Sequence, residues 1–176
     1  MLPMDAQLGT LFLQFSVEKL AQLASRIRTC LERLTPEQVW ARGSESENAV
    51  GNLVLHLCGN VRQWVGFGIA GWPDVRERNS EFAARGGLGP QELAEQLEAT
   101  VREAAAILRT LPVERLKDRT RVQNYDVTVL EAVYHVVEHF AEHTGQIIYA
   151  TKQMTHEDLG FYRHLSRPQP HTERTP

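Results

Sequence analysis

Histidine is the side chain most able to bind a metal or move a proton near neutral pH, and this chain has seven. Three of them, His135, His139 and His143, follow one another at intervals of four. Residues four apart share one face of a helix, and two His at that interval are how a helix offers two ligands to one ion. His56, far upstream, is a third imidazole for the pair His139 and His143. Three His and a solvent molecule make an open site of the catalytic zinc type. Imidazole also suits Ni, Fe and Cu, so the expectation is a divalent metal, zinc or nickel first. The three His of the last segment cannot all serve one ion. From His135 to His143 a helix rises about 12 Å, against ligand bonds of about 2.0–2.1 Å.

Facial arithmetic separates these His. With Val133 at zero and ~100° per residue, the apolar stripe spans roughly −60° to +60°, and His143, His139 and His135 fall near about −80°, −120° and −160°. His139 and His143 therefore flank the core, and His135 points outward with Glu138 and Glu142. On the second helix, with Leu53 at zero, His56, Asn60 and Gln63 fall near about −60°, −20° and −80°, beside an apolar stripe centred near +30°. Two polar edges facing each other predict a polar pocket inside a helical bundle. The plainer alternative is a pair of solvated His and an Asn60 that bonds a neighbouring helix. The inward His56, with Asn60 and Gln63 beside it, favours the site.

Other chemistries fit less well. His135-Val136-Val137-Glu138-His139 matches the H-x-x-E-H pattern of inverted zinc peptidases. Only Glu142, Glu157 and Glu173 follow it, and its first His points outward. Di-iron bundles need Glu-x-x-His pairs, and this chain has none. Cys58 lies two residues, about 200°, from His56 and cannot share its ion. It reads as a small buried hydrophobe. A Walker-type phosphate loop and a G-x-S-x-G elbow are both lacking.

Four helices are expected to position these residues. Leu8, Phe12, Phe15, Leu20, Leu23, Ile27, Leu31 and Leu34 recur at helical spacing and predict a first helix from about Asp5 to Leu34, stopped at Thr35-Pro36. Leu53, Leu57, Val61 and Trp64 predict a second from Asn48 to Ala70, interrupted by Gly59, Gly66 and Gly68, which weaken it or permit close approach. A third is expected from Pro90 to Leu111 and a fourth from Thr128 to Met154. Between the second and third lies a long charged loop, and long loops are often functional. Residues 119–126 are expected to be extended. The prediction is an all-α fold, a four-helix bundle with one long crossover connection.

The 176 residues form one expected domain, 1–165, with a polar, proline-bearing tail, 166–176, read as disordered. The net charge of −3 carries no nucleic-acid footprint. No apolar run reaches the ~20 residues of a membrane span, and the amino-terminal residues do not resemble a signal peptide. Two cysteines make no disulfide framework, so a cytoplasmic protein is expected.

Asn52-Leu53-Val54-Leu55-His56-Leu57-Cys58-Gly59-Asn60-Val61-Arg62-Gln63-Trp64 resembles helix two of the DinB-like metalloprotein superfamily. His139-Phe140-Ala141-Glu142-His143-Thr144-Gly145-Gln146-Ile147 resembles its last bundle helix. Arg76-Glu77-Arg78-Asn79-Ser80-Glu81-Phe82 resembles a loop motif of one subgroup catalogued as a domain of unknown function, and Thr144, where many relatives carry Arg, fits that subgroup. The resemblance covers about residues 8 to 155. It implies a four-helix bundle, often dimeric, with a divalent metal on His56, His139 and His143. It also implies a metal-dependent S-transferase joining a low-molecular-weight thiol such as bacillithiol to a small electrophilic substrate. On that reading Asn60, Arg62 and Gln146 bind cofactor, with Arg76 and Arg78 as further carboxylate partners and Gln146 ordering a ligand or water. A homodimer is expected, through Trp64, Phe67 and Trp72. The alternatives are a hydrolase or isomerase using water on the same ion, and a non-catalytic stress-related metal-binding protein. Glu138 or Glu142 is the candidate fourth ligand or base.

Overall fold

A computed structural model describes residues 4–166, so of the expected tail all but its first residue lies outside the described residues. The protein is mostly helical. The long helices form where the periodicity asks for them: α1 (Met4–Leu31), α3 (Val50–Val61), α5 (Pro90–Thr110) and α6 (Val129–Thr155), with short helices α2 (Pro36–Val39) and α4 (Arg78–Ala83) between them. Caps set the boundaries. Thr35 and Gln38 form a capping box at α2, with Pro36 in the first turn, and Thr128 and Glu131 do the same for α6. α1 packs on α5 and α6, and α3 packs on the same two helices, so α1 and α3 sit diagonally across a four-helix bundle. Leu20, Ile27, Leu57, Leu97, Phe140 and Ile147 are fully buried between them. No helix among the described residues is long and apolar enough to cross a membrane.

The structure departs from the sequence-based expectation in four places. The second helix is not one α-helix. It passes at Arg62–Phe67 into a π-helix, a form that often marks functional sites. Residues 119–126 are not merely extended but belong to a hairpin, β1 (Arg119–Val122) antiparallel to β2 (Tyr125–Thr128), with Val122 opposite Tyr125. Its turn residues Gln123 and Asn124 both have left-handed backbone, φ 53° and 74°, which is what a two-residue hairpin turn of the right twist requires. On α1 the early apolar residues do not face the core. Leu8 and Phe15 are 59% and 47% exposed, because Leu13, Ser16 and Val17 occupy the inward face at that level. Trp64 is buried, and Trp72 lies over Gly66 with its ring where a Cβ would stand. These two aromatics therefore do not make a common exposed face.

The long connection after the π-helix is folded back onto α3. It covers the outer side of that helix, and all but Leu55 and Gly59 of α3 are buried in consequence. Asn52 is the anchor. Its Nδ2 donates to the Glu81 and Ala84 carbonyls (2.8 and 3.0 Å), and its Oδ1 accepts from Arg42 Nη2 (2.5 Å) and the Ala49 N–H (3.1 Å). Trp40 Nε1 donates to the Leu88 carbonyl (2.8 Å) at the far end of the same segment. These bonds fix α4 against α3 one turn away from His56.

Candidate metal centre

His56 comes from the middle of α3, and His139 and His143 come from the middle of α6. The bundle brings all three together, and their ligand atoms lie within 4.8 Å of one another. His56 is buried and the other two are half-buried. His56 Nε2 is 2.9 Å from His139 Nε2, and the His139 and His143 rings meet edge to face at 4.4 Å. His56 Nδ1 donates to Glu81 Oε2 (2.9 Å), and His143 Nδ1 donates to Gln146 Oε1 (2.8 Å). These acceptors decide which nitrogen carries the proton. Both rings keep a lone pair on Nε2, the arrangement of a metal-ligating His whose other nitrogen is held by a carboxylate or amide. An ion held there would take the Nε2 lone pairs of both His56 and His139, with the His139 proton carried on its Nδ1.

Burial and neighbouring charges favour the neutral form of the two α6 ligands, His139 and His143. Burial, followed by the neighbouring imidazoles and Arg76, pushes His139 down to about 3. Burial also lowers His143, and bonding to Gln146 offsets part of that effect. Neutral imidazole is the form that binds metal. The donor set therefore fits a divalent ion of the zinc or nickel kind, with three protein ligands and no fourth His, Cys, Asp or Glu in the cluster among the described residues. Glu138 and Glu142 are exposed.

Glu81 is the functional residue that spacing alone does not reveal. It sits on α4, 8% exposed, and takes a two-pronged hydrogen bond from Arg76, Nε to Oε1 (2.7 Å) and Nη2 to Oε2 (2.9 Å). Burial by itself would raise the Glu81 carboxyl. The hydrogen bonds from Arg76 and His56 outweigh it and hold the group below the ordinary carboxylate value. Arg76 Nη1 also donates to Gln63 Oε1 (3.0 Å), which accepts from Gln123 Nε2 (2.6 Å) at the hairpin turn. Gly59 makes room for this pair. A Cβ there would collide with Glu81 Oε1 and stand 2.9 Å from Arg76 Nε. The signal for Glu81 was the loop motif Arg76–Phe82, not any helical spacing.

The other expected site residues divide. Gln146 is at the site, holding His143. Asn60 is buried one turn after His56, with Nδ2 3.3 Å from His135 Nε2. Arg62 is not beside the triad. It is exposed, pairs with Glu103 of α5 (3.2 Å), and lines a separate cavity under the Trp72–Glu77 segment. Arg76 is neither a solvated side chain nor free for a cofactor carboxylate, since its side chain is 4% exposed and committed to Glu81. His135 is corrected from outward to inward-facing. Trp64 of the π-helix and the hairpin extend the inner wall around α6, so His135 lies against Trp64 (4.2 Å between rings) and stacks on His139 (5.3 Å). Cys58 is 1% exposed, and burial pushes its thiol up to about 11.

Over residues 7–170 the chain matches the family described as Protein of unknown function (DUF1572). None of the curated proteins matches it. Among solved structures it is similar to a crystal structure of a conserved protein from Enterococcus faecalis, with a TM-score of 0.65 at 19% identity, covering 82% of this chain and 97% of that one. At that identity the likeness concerns the fold alone. The family match spans nearly the whole chain, and the protein belongs to the DUF1572 family.

Proposed function

For this member of the DUF1572 family, we propose divalent-metal binding by His56, His139 and His143, used for DinB-like thiol S-transfer. The observation that carries the metal is the pairing of Glu81 with His56 Nδ1 and of Gln146 with His143 Nδ1, which leaves both Nε2 lone pairs at one point between α3 and α6. When bound, such an ion supplies Lewis acidity at a position three His leave open, where a low-molecular-weight thiol such as bacillithiol gives up its proton. The chain's own part is positional. Glu81 and Gln146 orient two ligands, Arg76 holds Glu81, and the half-enclosed surroundings keep His139 and His143 neutral. An open three-ligand site with a cavity beside it supports turnover of a small-molecule substrate over a purely structural metal. Two buried free cysteines fit a reducing cytoplasm. A second copy of the chain would cover the exposed apolar row Met4, Leu8, Leu11 and Phe15 of α1.

The test is metal content of the purified full chain by mass spectrometry, with light scattering of the same sample for the dimer. About one equivalent per chain is expected, lost in His56→Ala and His143→Ala. Full retention by both variants would remove the site. A thiol-by-electrophile screen then tests transfer, and turnover without any thiol would replace transfer by hydrolysis.

A further inference from the structure

Beside the triad lies a cavity of about 370 Å³, walled by α3, the π-helix, the hairpin and α6. That volume suits a small organic ligand. One wall is aromatic and apolar. Trp64 faces His135 and stands 6.2 Å from Tyr125, and Val127 continues the surface. Arg78 is at the rim. Its guanidinium lies 4.9 Å over the Phe82 ring, and Phe82 in turn packs on His56 at 4.7 Å. The other arginine lining the cavity, Arg76, is taken by Glu81. Arg78 has no carboxylate within ion-pair distance among the described residues. Glu131, which also lines the cavity, is committed to the Thr128 N–H and hydroxyl at the start of α6.

Two residues of this wall carry unmatched polarity. Asn60 and Trp64 are 4% and 3% exposed, and Asn60 Oδ1 and Trp64 Nε1 find no hydrogen-bond partner among the described residues. Buried polar atoms are normally paired, and an exception asks for an explanation. Neither atom reaches the cavity surface, so recognition of a charged ligand falls to Arg78: a guanidinium held on an aromatic face, with no carboxylate of its own, takes one from a ligand.

We propose that this cavity binds a small carboxylate with an aromatic or aliphatic body, its acid group on Arg78 and its body along Trp64, Tyr125 and Val127. The proposal deepens the reading above, from which it takes only that the His triad is the reacting end. Of the three arginines the sequence offered for a carboxylate, it assigns the role to Arg78.

The test uses the full chain, with phenylacetate and phenylacetamide as probes of equal shape and different charge. The readout is the indole N–H resonance of Trp64, identified with Trp64→Phe. Phenylacetate is expected to shift that resonance saturably and phenylacetamide to do so far more weakly. Arg78→Gln should bind the acid about tenfold more weakly or worse, the size of one lost charge-assisted hydrogen bond, and Arg78→Lys should recover part of it. Arg109→Gln, on the exposed face of α5 and away from the cavity, should bind the acid as the wild type does. Equal binding of acid and amide, or unchanged binding in Arg78→Gln, overturns the proposal. Loss in His143→Ala without loss in Arg78→Gln would put the acid on the ion, overturning the subsite and leaving the metal reading intact. Arg78-dependent binding by a wild type that takes up no metal would do the reverse.

Discussion

The two sides of the His cluster are built oppositely. Towards α4, the carboxylate of Glu81 and the guanidinium of Arg76 are paired at every polar atom, down to Gln63 and the hairpin turn. Towards the hairpin, Asn60 and Trp64 are as deeply buried, yet each has an orphan polar atom. Of three such atoms among the described residues, only Arg42 Nε lies on the α4 side. A satisfied buried network is rigid and holds its members in one geometry. An unsatisfied one costs free energy and leaves its members less fixed, and it is this side that borders the cavity. The difference assigns the α4 side to holding ligands in place and the hairpin side to receiving a molecule.

The largest effect should come from breaking the satisfied side. Glu81→Ala strands the Arg76 charge in a site where its side chain is 4% exposed. Removing one partner of a buried pair costs about 3–5 kcal/mol. His56 loses its acceptor in the same step, which weakens metal binding by about 10–100-fold. Urea unfolding and competition against a chelator read the two effects separately. A loss below about 1 kcal/mol would class the pair with exposed salt bridges and end the claim that this side is a rigid support.

Acid should act next, and in one direction. The folded pKa of His139 is lowered to about 3, and His143 and His135 are lowered as well, burial being the first cause for each. An unfolded His takes up its proton near 6.5. Below that pH the unfolded chain therefore binds protons the folded chain refuses, and stability falls as pH falls. For His139 the loss continues down to about 3. Glu81, also lowered when folded, adds to the loss at the acid end. One pH unit below the unfolded value costs up to about 1.4 kcal/mol per such group, or about 2–4 °C in Tm for each kcal/mol at this chain length. Thermal melts of chelator-treated protein between about pH 8 and 5.5 check it, the range lying either side of the unfolded His value. A flat profile would mean that the imidazoles are hydrated and the cluster is open to water.

Much of this arrangement was legible in the sequence, because helices announce themselves by period. The expected fourth helix, Thr128 to Met154, differs from Val129–Thr155 by one residue at each end. The same period put His139 and His143 beside the core and paired them with His56. What a period cannot report is what covers a helix from outside. His135 lies away from the apolar stripe of α6, and only the π-helix and hairpin, from other parts of the chain, make that direction inward. Glu81 is 25 residues from His56 on a segment with no period of its own, so only its motif carried a signal. Leu8 and Phe15 show the opposite error. They keep helical spacing but fall on a face that α5 and α6 do not reach.

The smallest predicted effect is the sharpest test of the two-sided design. Asn52 and Asn60 stand two turns apart on α3, and both are buried, at 0% and 4% exposure. Asn52 has four hydrogen bonds to the α4 side and its approach. Asn60 has one long contact to His135 and an oxygen with no partner. Leu has nearly the shape of Asn and no polar atom. Asn52→Leu should cost about 2 kcal/mol or more, since it strands the Ala49 N–H and the Glu81 carbonyl at about 1–3 kcal/mol for each group left unsatisfied, while Arg42 and the Ala84 carbonyl keep other partners. Asn60→Leu removes the orphan together with one weak bond, so its effect should stay within about 1 kcal/mol and can be stabilising. Urea unfolding of the two variants compares them directly, and equal losses would mean that Asn60 is as fully paired as Asn52. A stable Asn60→Leu that binds phenylacetate less well would show the exchange of stability for binding that receptive sites make. On that outcome the Asn60 amide N–H, a donor that a carboxylate can accept, is kept on α3 for the ligand and not for the fold.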